Sequence, residues 1–484
     1  MRTRSLSFTL AAALALSACG GDESDPDPNT PVDAGVPVPT LPPTVDAPPL
    51  NPGWALMAGD IEDDWGLDVA TDAEGNAYVV GFFQNAIDFG GAPLMGGRSA
   101  FMASFAADGS HRWSRAFSGQ GSSEAWGVDE ADGFVYVTGE AGGEVDFGLG
   151  ATTGQDAGFV ASLDATTGVT VWAERFAVDG RVEARGVAAT GSAVYVVGVF
   201  EGMGDLFGAS LSSVGVTDVL VVAFDSSGNG LWARGFGSEG VDDATAVALT
   251  IDEGPIVVGR VDGAVDFGGG ALGQGETAFI VSLAADGSHQ WSVGMESPSL
   301  ARASDIAVDA AGNTYVTGEF RERLDLGSKV LPAKGGSDVL LASFDSAGEL
   351  RFAWNFGDVK NPAPDAGPTY QNGIDGGRGV TVGADGNVYL TGSFQLSIDF
   401  GGGPFTYVGG EGDTDIFVAS FDSDGNHRWS RPFGGDRGET GWAIAATPSG
   451  QAFVTGRSLN DLDVGTGALT NAGEDDVFVI RLDP

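Results

Sequence analysis

Apolar and polar positions alternate along this chain in short runs bounded by glycine. The clearest run ends in glycine and occurs seven times, as in Tyr136-Val137-Thr138-Gly139 and Tyr315-Val316-Thr317-Gly318. Each copy follows an alternating segment such as Gly66-Leu67-Asp68-Val69-Ala70 and a turn, and all but the last precede two further strand-like runs. β-Branched and aromatic runs separated by glycine turns indicate strands. The pattern therefore predicts a repeated unit of four antiparallel strands.

The glycines that end these runs set the period of the repeat. They are Gly81, Gly139, Gly198, Gly259, Gly318, Gly392 and Gly456, which lie 58, 59, 61, 59, 74 and 64 residues apart. The period is near 60, with one insertion between Gly318 and Gly392. A single unit of this kind cannot cover both of its apolar faces, so the copies must stack on one another.

The two ends of the repeat region indicate how the units stack. Tryptophans mark the fourth strand at Trp113, Trp172, Trp232, Trp291, Trp354 and Trp429. The seventh unit ends at its third strand, whereas Trp54-Ala55-Leu56-Met57 stands directly before the first unit. A closed ring uses such a segment to complete its last blade, while a linear solenoid requires polar caps. We therefore predict an all-β, seven-bladed β-propeller over residues 53–484, closed by Trp54–Met57.

Three motifs of the units resemble those of a known repeat family. They are the Tyr-Val-Thr-Gly strand, a Gly-Asn turn before tryptophan, and an Asp-Phe-Gly step at Asp88, Asp146, Asp266 and Asp399. Together they resemble the SBBP family of bacterial β-propeller repeats over nearly all of residues 53–484. Three units depart at the middle motif, reading Asp205-Leu206-Phe207-Gly208, Asp325-Leu326-Gly327 and Asp463-Val464-Gly465. The resemblance implies a propeller in a secreted or surface protein and implies no common catalytic site.

The N-terminal residues have the pattern of an export signal. A basic start with Arg2 and Arg4 is followed by an apolar run over residues 6–18 that is too short to span a bilayer, which predicts a signal peptide over residues 1–18. The run ends in Leu16-Ser17-Ala18-Cys19-Gly20, which resembles the bacterial lipobox and implies a lipid on Cys19, the single cysteine. The alternative is an ordinary signal peptide with a chance cysteine. Because Gly20 rather than aspartate follows Cys19, the enteric sorting rule favours the outer membrane or cell surface over the inner membrane.

The segment after the signal is poor in core-forming residues. Residues 19–52 hold ten of the 21 prolines and no aromatic residue, which predicts a lipidated Cys19 followed by a disordered, Pro/Asp-rich tether. Proline-rich chain extends by ~3.1 Å per residue, so the tether could reach on the order of 100 Å. We expect contact with the membrane through the lipid anchor only.

Charge and composition exclude several functions. The chain has 67 acidic against 23 basic residues, a net charge of −44, which repels nucleic acid and excludes it as a partner. One cysteine provides no internal disulfide and no thiolate cluster. The three histidines, His111, His289 and His427, stand two residues before tryptophans of three different units, so they cannot converge on a metal or act as one catalytic group. We expect a monomer with no catalytic residues and no metal ligands.

Acidic residues recur on the face that carries the longer connections, here called the long-loop face. They precede the first strand at Asp64, Glu124, Glu183, Asp243, Asp375 and Glu439, with Arg302 in the remaining unit, and the third strand at Asp156, Asp218, Asp338, Asp415 and Asp476. Calcium takes six to eight oxygen ligands, but no Asp-x-Asp-x-Asp-Gly loop is present. We therefore expect no cofactor, with calcium binding as the alternative.

The insertion between Trp354 and Arg378 falls on the same long-loop face. Loops on a rigid scaffold commonly carry recognition, so we predict binding residues there and at the Asp-Phe-Gly steps, with a drifted surface loop as the alternative. The predicted binding residues are Asp375, Tyr370, Asn372, Asp88, Asp146, Asp266 and Asp399.

These observations favour a noncatalytic cell-envelope lipoprotein that acts as a binding or scaffold module for a protein or glycan partner. One alternative is a polysaccharide hydrolase or lyase that uses a carboxylate pair ~5–9.5 Å apart. A further alternative is a calcium-stabilised surface module.

Overall fold

The structure is a computed structural model that describes residues 41–45, 48–49, 51–358, 373–410 and 412–484. The predicted signal peptide over residues 1–18, the lipidation site Cys19, and the predicted binding residues Tyr370 and Asn372 lie outside the described residues. In the part of the chain that is described, no helix is long and apolar enough to cross a membrane.

The described residues form seven four-stranded antiparallel blades with short hairpins between their second and third strands. In chain order the strands are β1 (Asn51–Ala58); in blade one β2 (Trp65–Thr71), β3 (Ala77–Ile87), β4 (Leu94–Phe105) and β5 (His111–Phe117); in blade two β6 (Ser122–Ala131), β7 (Phe134–Asp146), β8 (Ala151–Asp164) and β9 (Thr170–Phe176); in blade three β10 (Val182–Ala189), β11 (Ala193–Phe200), β12 (Met203–Leu206), β13 (Ala209–Ser212), β14 (Asp218–Asp225) and β15 (Gly230–Phe236); in blade four β16 (Asp243–Leu249), β17 (Pro255–Asp262), β18 (Val265–Asp266), β19 (Ala271–Leu272), β20 (Glu276–Leu283) and β21 (His289–Glu296); in blade five β22 (Ala301–Val308), β23 (Thr314–Phe320), β24 (Arg323–Asp325), β25 (Val330–Pro332), β26 (Asp338–Phe344) and β27 (Leu350–Phe356); in blade six β28 (Gly376–Val382), β29 (Val388–Phe394), β30 (Ser397–Ile398), β31 (Phe405–Thr406), β32 (Asp415–Phe421) and β33 (His427–Phe433); and in blade seven β34 (Glu439–Ala446), β35 (Ala452–Ser458), β36 (Leu462–Asp463), β37 (Ala468–Leu469) and β38 (Asp476–Asp483).

The N-terminal strand closes the ring. β1 pairs antiparallel with β38, which places Trp54 opposite Arg481 and Leu56 opposite Val479. The last blade therefore has the order β1-β38-β35-β34. The prediction of a seven-bladed propeller completed by this strand is confirmed, and the strand begins at Asn51, before the predicted start at Trp54.

The core lies between the blades. The second and third strands are buried along most of their length because each is covered on both faces, and their apolar side chains form seven clusters that each join two adjacent blades. In the cluster that joins the last blade to the first, Val79 of blade one packs with Val479 of blade seven. Stacking of one blade on the next therefore buries the apolar faces that a lone unit would expose.

Outer-strand aromatic residues hold each blade against the next. Trp113 donates its indole N–H to the carbonyl of Ala165 at 3.1 Å, and it covers Gly168 in the turn before β9. A Cβ at Gly168 would come 2.5 Å from the Trp113 ring, and the φ of +66° favours glycine there as well. The tryptophan and the turn glycine therefore act as a pair across the blade junction.

Blade five departs from this pattern. Phe352 lies opposite Ser343, the register position that Trp113 occupies opposite Ser104 in blade one. The assignment of Trp354 as the equivalent tryptophan is therefore wrong by two residues. Residues two apart share one face of a strand, so the alternation could not distinguish the two aromatic positions.

The connection between the second and third strands forms a hairpin that folds back over the outer strand of its blade. In blade one a Cβ at Gly91 would come 2.5 Å from the His111 ring, and Phe89 packs 4.9 Å from Phe101. His111 begins β5, at the end of the blade away from the long-loop face. The Asp-Phe-Gly steps, predicted on the long-loop face, therefore lie at hairpin tips on the outer rim.

Part of the segment assigned to the tether pairs with blade six. The His427 amide donates to the carbonyl of Pro43 at 2.8 Å, and the Val45 amide donates to the carbonyl of His427 at 2.7 Å. Thr44 consequently forms a parallel bridge with His427 on the outer strand β33.

Candidate functional site

The innermost strand of every blade contains a β-bulge at the same register, directly after its first few residues. The residues at the seven register shifts are Leu67, Trp126, Arg185, Thr245, Ser304, Arg378 and Trp442. All seven line the central cavity of the ring. A bulge redirects the side chain of the extra residue, so the ring presents seven equivalent positions that carry different chemistry.

The cavity has a volume of about 870 Å³ and is lined by innermost strands of all seven blades. This volume lies within the ~300–1,000 Å³ typical of small-molecule sites. Because the innermost strands start at the long-loop face, the bulge residues lie near that end of the cavity. We call the group Trp126, Arg185, Arg302, Ser304, Arg378 and Trp442 the channel mouth.

Two of the three arginines in the channel mouth have acidic partners. Arg185 donates from Nε to Glu183 at 3.1 Å, and its Nη1 lies 3.6 Å from Asp243 Oδ1. Arg378 donates to Glu319 at 3.4 Å. These ion pairs neutralise the two guanidinium groups while leaving them at the cavity wall.

Arg302 differs from both. No hydrogen bond or ion pair within 4.0 Å joins its side chain to any residue that the structure describes, and its Nε is shielded from solvent without a partner. Burial lowers the pKa of the Arg302 guanidinium; Asp243 and Glu319 attract it at longer range, whereas the like charges of Arg185 and Arg378 oppose its charged form. Burial opposes the charge of Asp243, yet the pKa of this carboxyl group is lowered, with Arg302 contributing more than the other guanidinium groups. Asp243 therefore compensates the charge of Arg302 from beyond hydrogen-bonding distance.

Indole rings form a second part of the channel mouth. Trp442 stacks on Trp65 with ring centroids 6.4 Å apart at 20°, and Arg378 lies 5.3 Å over the Trp442 ring. The buried indole N–H groups of Trp126 and Trp442 and the hydroxyl of Ser304 have no hydrogen-bond partner among the described residues. Together with Arg302 Nε, four donor groups of the channel mouth thus lack partners among the described residues, as does the acceptor Oδ1 of Asp243.

Three carboxyl groups lie deeper along the cavity wall. Burial raises the pKa of Asp68 to about 8, that of Asp129 to about 7 and that of Asp305 to about 6. Each ties its own innermost strand to the next blade by accepting a backbone N–H, at distances of 2.8, 2.8 and 2.7 Å. The second oxygen of each accepts the N–H of the following residue. Both oxygens are therefore engaged in holding the ring together.

Asp375, predicted as a binding residue, is fully buried. Its Oδ1 accepts the Gln395 amide at 2.9 Å, and burial together with the nearby carboxylates of Asp358 and Asp338 raises the pKa of Asp375 well above its usual range. The structure thus corrects its predicted placement, because the side chain clamps the loops between blades instead of projecting from the surface.

The register of the acidic positions also differs from the sequence alignment. In each blade, one residue of the first strand pairs with the residue directly after the glycine of the Tyr-Val-Thr-Gly-like run. This residue is Glu124, Glu183, Asp243 or Arg302 in four blades, and Trp65, Gly376 or Thr440 in the other three. Asp64, Asp375 and Glu439 come one residue earlier. A shift of one residue turns a side chain to the opposite face, so these three point away from the group to which they were aligned.

The four remaining predicted binding aspartates stabilise hairpin tips. Each accepts the backbone N–H of the glycine two residues later, at 2.7–2.8 Å, in four different blades; they are Asp88, Asp146, Asp266 and Asp399. Aspartate bonded in this way to its own turn is a common turn stabiliser. The structure does not bring these residues together.

The histidines lie apart on outer strands of blades one, four and six. His111, His289 and His427 each contact the hydroxyl of the serine three residues later, at 3.1–3.2 Å. Across the described ranges, no group of three or more histidine, cysteine, aspartate or glutamate side chains is placed to hold a metal ion.

The channel mouth was not predicted from the sequence, because acidic residues dominate the positions before the first strands. One signal was available: Arg302 is the single base at a position that is otherwise aligned with acids. The bulges have no recognisable sequence pattern, because an inserted residue only shifts the apolar–polar alternation by one position.

Comparisons with known proteins add the following. No family model matches the chain. The regulatory protein FlaEY of Caulobacter vibrioides is similar at 28% identity over 173 residues, which cover 36% of this chain and 16% of that protein. Among solved structures, the Dos1 propeller is similar at 8% identity and a TM-score of 0.42, covering 89% of this chain and 95% of that chain. BamB from Moraxella catarrhalis is similar at 13% identity and a TM-score of 0.35, covering 91% and 99%. The quinohemoprotein alcohol dehydrogenase ADHIIG from Pseudomonas putida HK5 is similar at 15% identity and a TM-score of 0.42, covering 89% and 76%.

Proposed function

We propose that this protein is a noncatalytic binding module of the cell envelope that recognises a protein or glycan partner at the channel mouth. The proposal rests on the different side chains at the seven equivalent bulge positions. Two of these positions hold arginine and two hold tryptophan, and Arg302 lies beside them at the cavity wall. A spacer function does not account for such a group of side chains. Convergent polar groups at one end of a large cavity are typical of a binding site.

The state of the polar groups favours binding over catalysis. Asp68, Asp129 and Asp305 use both carboxyl oxygens for bonds to backbone N–H groups, so each has a structural role in joining adjacent blades. The buried groups without a hydrogen-bond partner among the described residues include donors at Arg302, Trp126 and Trp442 and the acceptor Oδ1 of Asp243. We therefore also propose that the module acts without a cofactor.

The surroundings of the channel mouth suit contact with a larger partner. Apolar side chains of the long-loop face are well exposed at Ile61 (70%), Val214 (66%) and Val216 (59%). They lie in connections that precede first or third strands, on the same side as the channel mouth. Exposed apolar groups beside a polar pocket favour association with another molecule on this face.

The cellular placement is part of the proposal. The lipobox-like residues around Cys19 and the proline-rich tether support a lipid-anchored protein of SBBP type, at the outer membrane or cell surface, with a monomeric propeller held away from the bilayer.

Site-specific photo-crosslinking in intact cells tests the proposed function. A photoreactive residue replaces Val216 on the long-loop face, and Ile251, which is 63% exposed in the turn between β16 and β17, is the matched control on the opposite face. We expect a discrete crosslinked product from position 216 and none from position 251. Products of equal yield from both positions, or none from position 216, would contradict a recognition surface on the long-loop face.

A further inference from the structure

The outer edge of blade six carries a notch that this chain fills with its own residues 42–45. The notch lies between the hairpin residue Gly401 and His427, the first residue of β33. Thr44 donates its hydroxyl to the carbonyl of Gly401 at 2.9 Å, and Pro42 is buried. The carbonyl oxygen of Pro42 lies 3.3 Å from the point where a Cβ at Gly401 would stand, so the missing side chain leaves room for the passing backbone.

The backbone of the outer strand supplies the rest of the contact. His427 donates its N–H to the carbonyl of Pro43 at 2.8 Å, and its own carbonyl accepts the N–H of Val45 at 2.7 Å. The covered His427 is only 2% exposed. The notch therefore holds an extended segment by one carbonyl, one hydroxyl and one N–H. A Pro-Pro-Thr-Val sequence meets this requirement, because its prolines have no N–H groups to satisfy.

Blades one and four repeat the geometry of this notch. His111 and His289 begin β5 and β21, and each has the same register against the third strand as His427. Each ring packs on the second glycine of its hairpin, so a Cβ at Gly91 or Gly269 would collide with it. The N–H and C=O of one strand residue point to the same side. The shared register therefore turns these two groups of both histidines outward.

The notches of blades one and four are open at the strand edge. Among the described residues, no segment pairs with β5 on its outer side, and β21 has an outer partner only at its far end. His111 and His289 are accordingly partly exposed. Their outward N–H and C=O groups form the same template that blade six presents to Pro43 and Val45.

Charge selects the kind of segment that fits these two notches. Exposed aspartates flank each notch in the hairpin and in the turn before the histidine; they are Asp88 and Asp108 in blade one, and Asp266 and Asp286 in blade four. Residues 20–52 of this chain contain six acids and no base, so the tether of a second copy is repelled. A proline-rich segment flanked by lysine or arginine is attracted instead.

We propose that the notches of blades one and four bind extended, basic Pro-Pro-Thr segments of a partner protein, which add to the outer strands by backbone hydrogen bonds. Proline-rich chain is already extended, so little conformational entropy is lost when it binds. These notches lie on the outer rim, apart from the channel mouth. Their failure to bind would leave the expected crosslink from position 216 unchanged.

Proton NMR of the histidine rings tests the proposal, because the chain has three histidines and each one reports on one notch. The sample is the chain from residue 19 with Cys19→Ser, and the probe is a blocked Lys-Leu-Pro-Pro-Thr-Val-Lys peptide. We expect saturable shifts of the His111 and His289 signals and a fixed His427 signal, because residues 42–45 already cover His427. Unmoved His111 and His289 signals at about 5 mM peptide overturn the proposal.

Two altered peptides test the chemical requirements. Valine in place of the peptide threonine removes the hydroxyl that Thr44 uses in blade six, and should weaken binding about fivefold. Aspartate in place of both lysines should weaken binding at least about tenfold at low salt. Equal affinities of the three peptides would contradict the proposed recognition, and tighter binding of the aspartate peptide would identify the tether of a second copy as the occupant.

Deletion of residues 41–45 tests whether the three notches are equivalent. The deletion uncovers the notch of blade six, so the His427 signal should then respond to the lysine peptide as the other two signals do. A response of His427 alone would show that blades one and four have no such site.

A proline substitution tests the role of the strand edge. His111→Pro removes the outward N–H and is tolerated at the first residue of an edge strand. It should reduce the peptide bound at saturation, measured by equilibrium dialysis, from two molecules per chain to one. His111→Gln is the matched control, since it keeps the N–H and should still bind two. The His289 signal shows that both variants are folded, and two bound peptides in His111→Pro would rule out addition to the strand edge.

Discussion

Trp54 precedes the first blade in the chain, yet its ring packs with the centroid 5.8 Å from that of Phe105 in blade one and 5.8 Å from that of Phe453 in blade seven. A Cβ at Gly109, in the turn before β5, would come within 2.8 Å of the Trp54 ring. Trp54 therefore forms at the seam of the ring the same tryptophan–glycine junction that Trp113 and Gly168 form between covalently continuous blades.

Replacing Trp54 with alanine should destabilise the whole propeller, because the seam loses the ring that fills it. We expect the free energy of unfolding to fall by about 2 kcal/mol, measured by urea denaturation. Leu231→Ala, on an outer strand and 51% exposed, is the control and should change stability by less than ~0.5 kcal/mol. Equal changes in the free energy of unfolding for the two variants would show that Trp54 contributes no more to stability than an exposed leucine on an outer strand.

Stability should rise as the pH falls from 8 towards 5. Burial raises the pKa of Asp64 to about 7 and that of Glu439 to about 8, above the ~4 of an unfolded chain. Between the pKa of the unfolded chain and the raised pKa of the folded state, each of these carboxyl groups is protonated in the folded state and ionised in the unfolded chain. Within that pH range, each group adds about 1 kcal/mol to the free energy of unfolding for every unit by which the pH falls. Thermal unfolding at pH 5.5 and pH 8.0 measures the difference.

Glu439→Gln should flatten this pH dependence, whereas Glu349→Gln, the same change at an exposed glutamate of blade five, should not. Among the described residues, Glu439 accepts only the Gly435 amide, at 3.2 Å, and its second oxygen is buried without a partner there. A neutral amide therefore replaces a group that the fold holds protonated. A melting temperature that rises with pH in the unsubstituted protein would contradict the burial of these carboxyl groups.

Arg302→Met should destabilise the protein. The substitution removes the charge that contributes most to the lowered pKa of the buried Asp243 carboxyl group, so we expect a loss of about 1 kcal/mol in chemical denaturation. Arg185→Met removes one of the two ion pairs of both Glu183 and Asp243 and should cost about 2 kcal/mol. Stabilisation by Arg302→Met would show that Asp243 does not compensate its charge.

Cys19→Ser should abolish membrane attachment, because the lipobox resemblance places the lipid on the Cys19 sulfur. Acyl chains contribute about 0.8 kcal/mol of membrane affinity per buried CH₂ group, so the natural protein should enter the detergent phase of a detergent partition. The variant should enter the aqueous phase or retain residues 1–18, as shown by intact mass. Identical partition and mass for both forms would rule out lipid on Cys19.

The sequence predicts the blades well because each depends on local alternation. The seven Tyr-Val-Thr-Gly-like runs all form second strands, and the strand at Trp54 pairs where the incomplete last unit requires it. These features follow from period-two patterning and from the need to cover apolar faces, both of which are visible in one chain.

The candidate site could not be predicted in the same way. A bulge adds one residue without changing composition, so the alignment of Asp375 and Asp64 with Glu124 was offset by one residue. The hairpins that carry Asp88 and Asp146 fold back on their blades because their phenylalanines pack on the third strand, as Phe147 does on Phe159 with centroids 4.8 Å apart. The spacing of the Asp-Phe-Gly motif along the chain does not predict this tertiary packing.

The channel mouth exists only if the first and last strands close the ring, and a pair of engineered cysteines measures this most directly. In a Cys19→Ser background, Leu56→Cys with Val479→Cys joins residues that lie opposite each other in the β1–β38 ladder, whereas Leu56→Cys with Phe478→Cys places the thiols on opposite faces. Mild oxidation should form a disulfide in the first pair, which raises the melting temperature, and should leave free thiols in the second. Free thiols in both pairs, or disulfides in both, would show that β1 does not complete the seventh blade in this register.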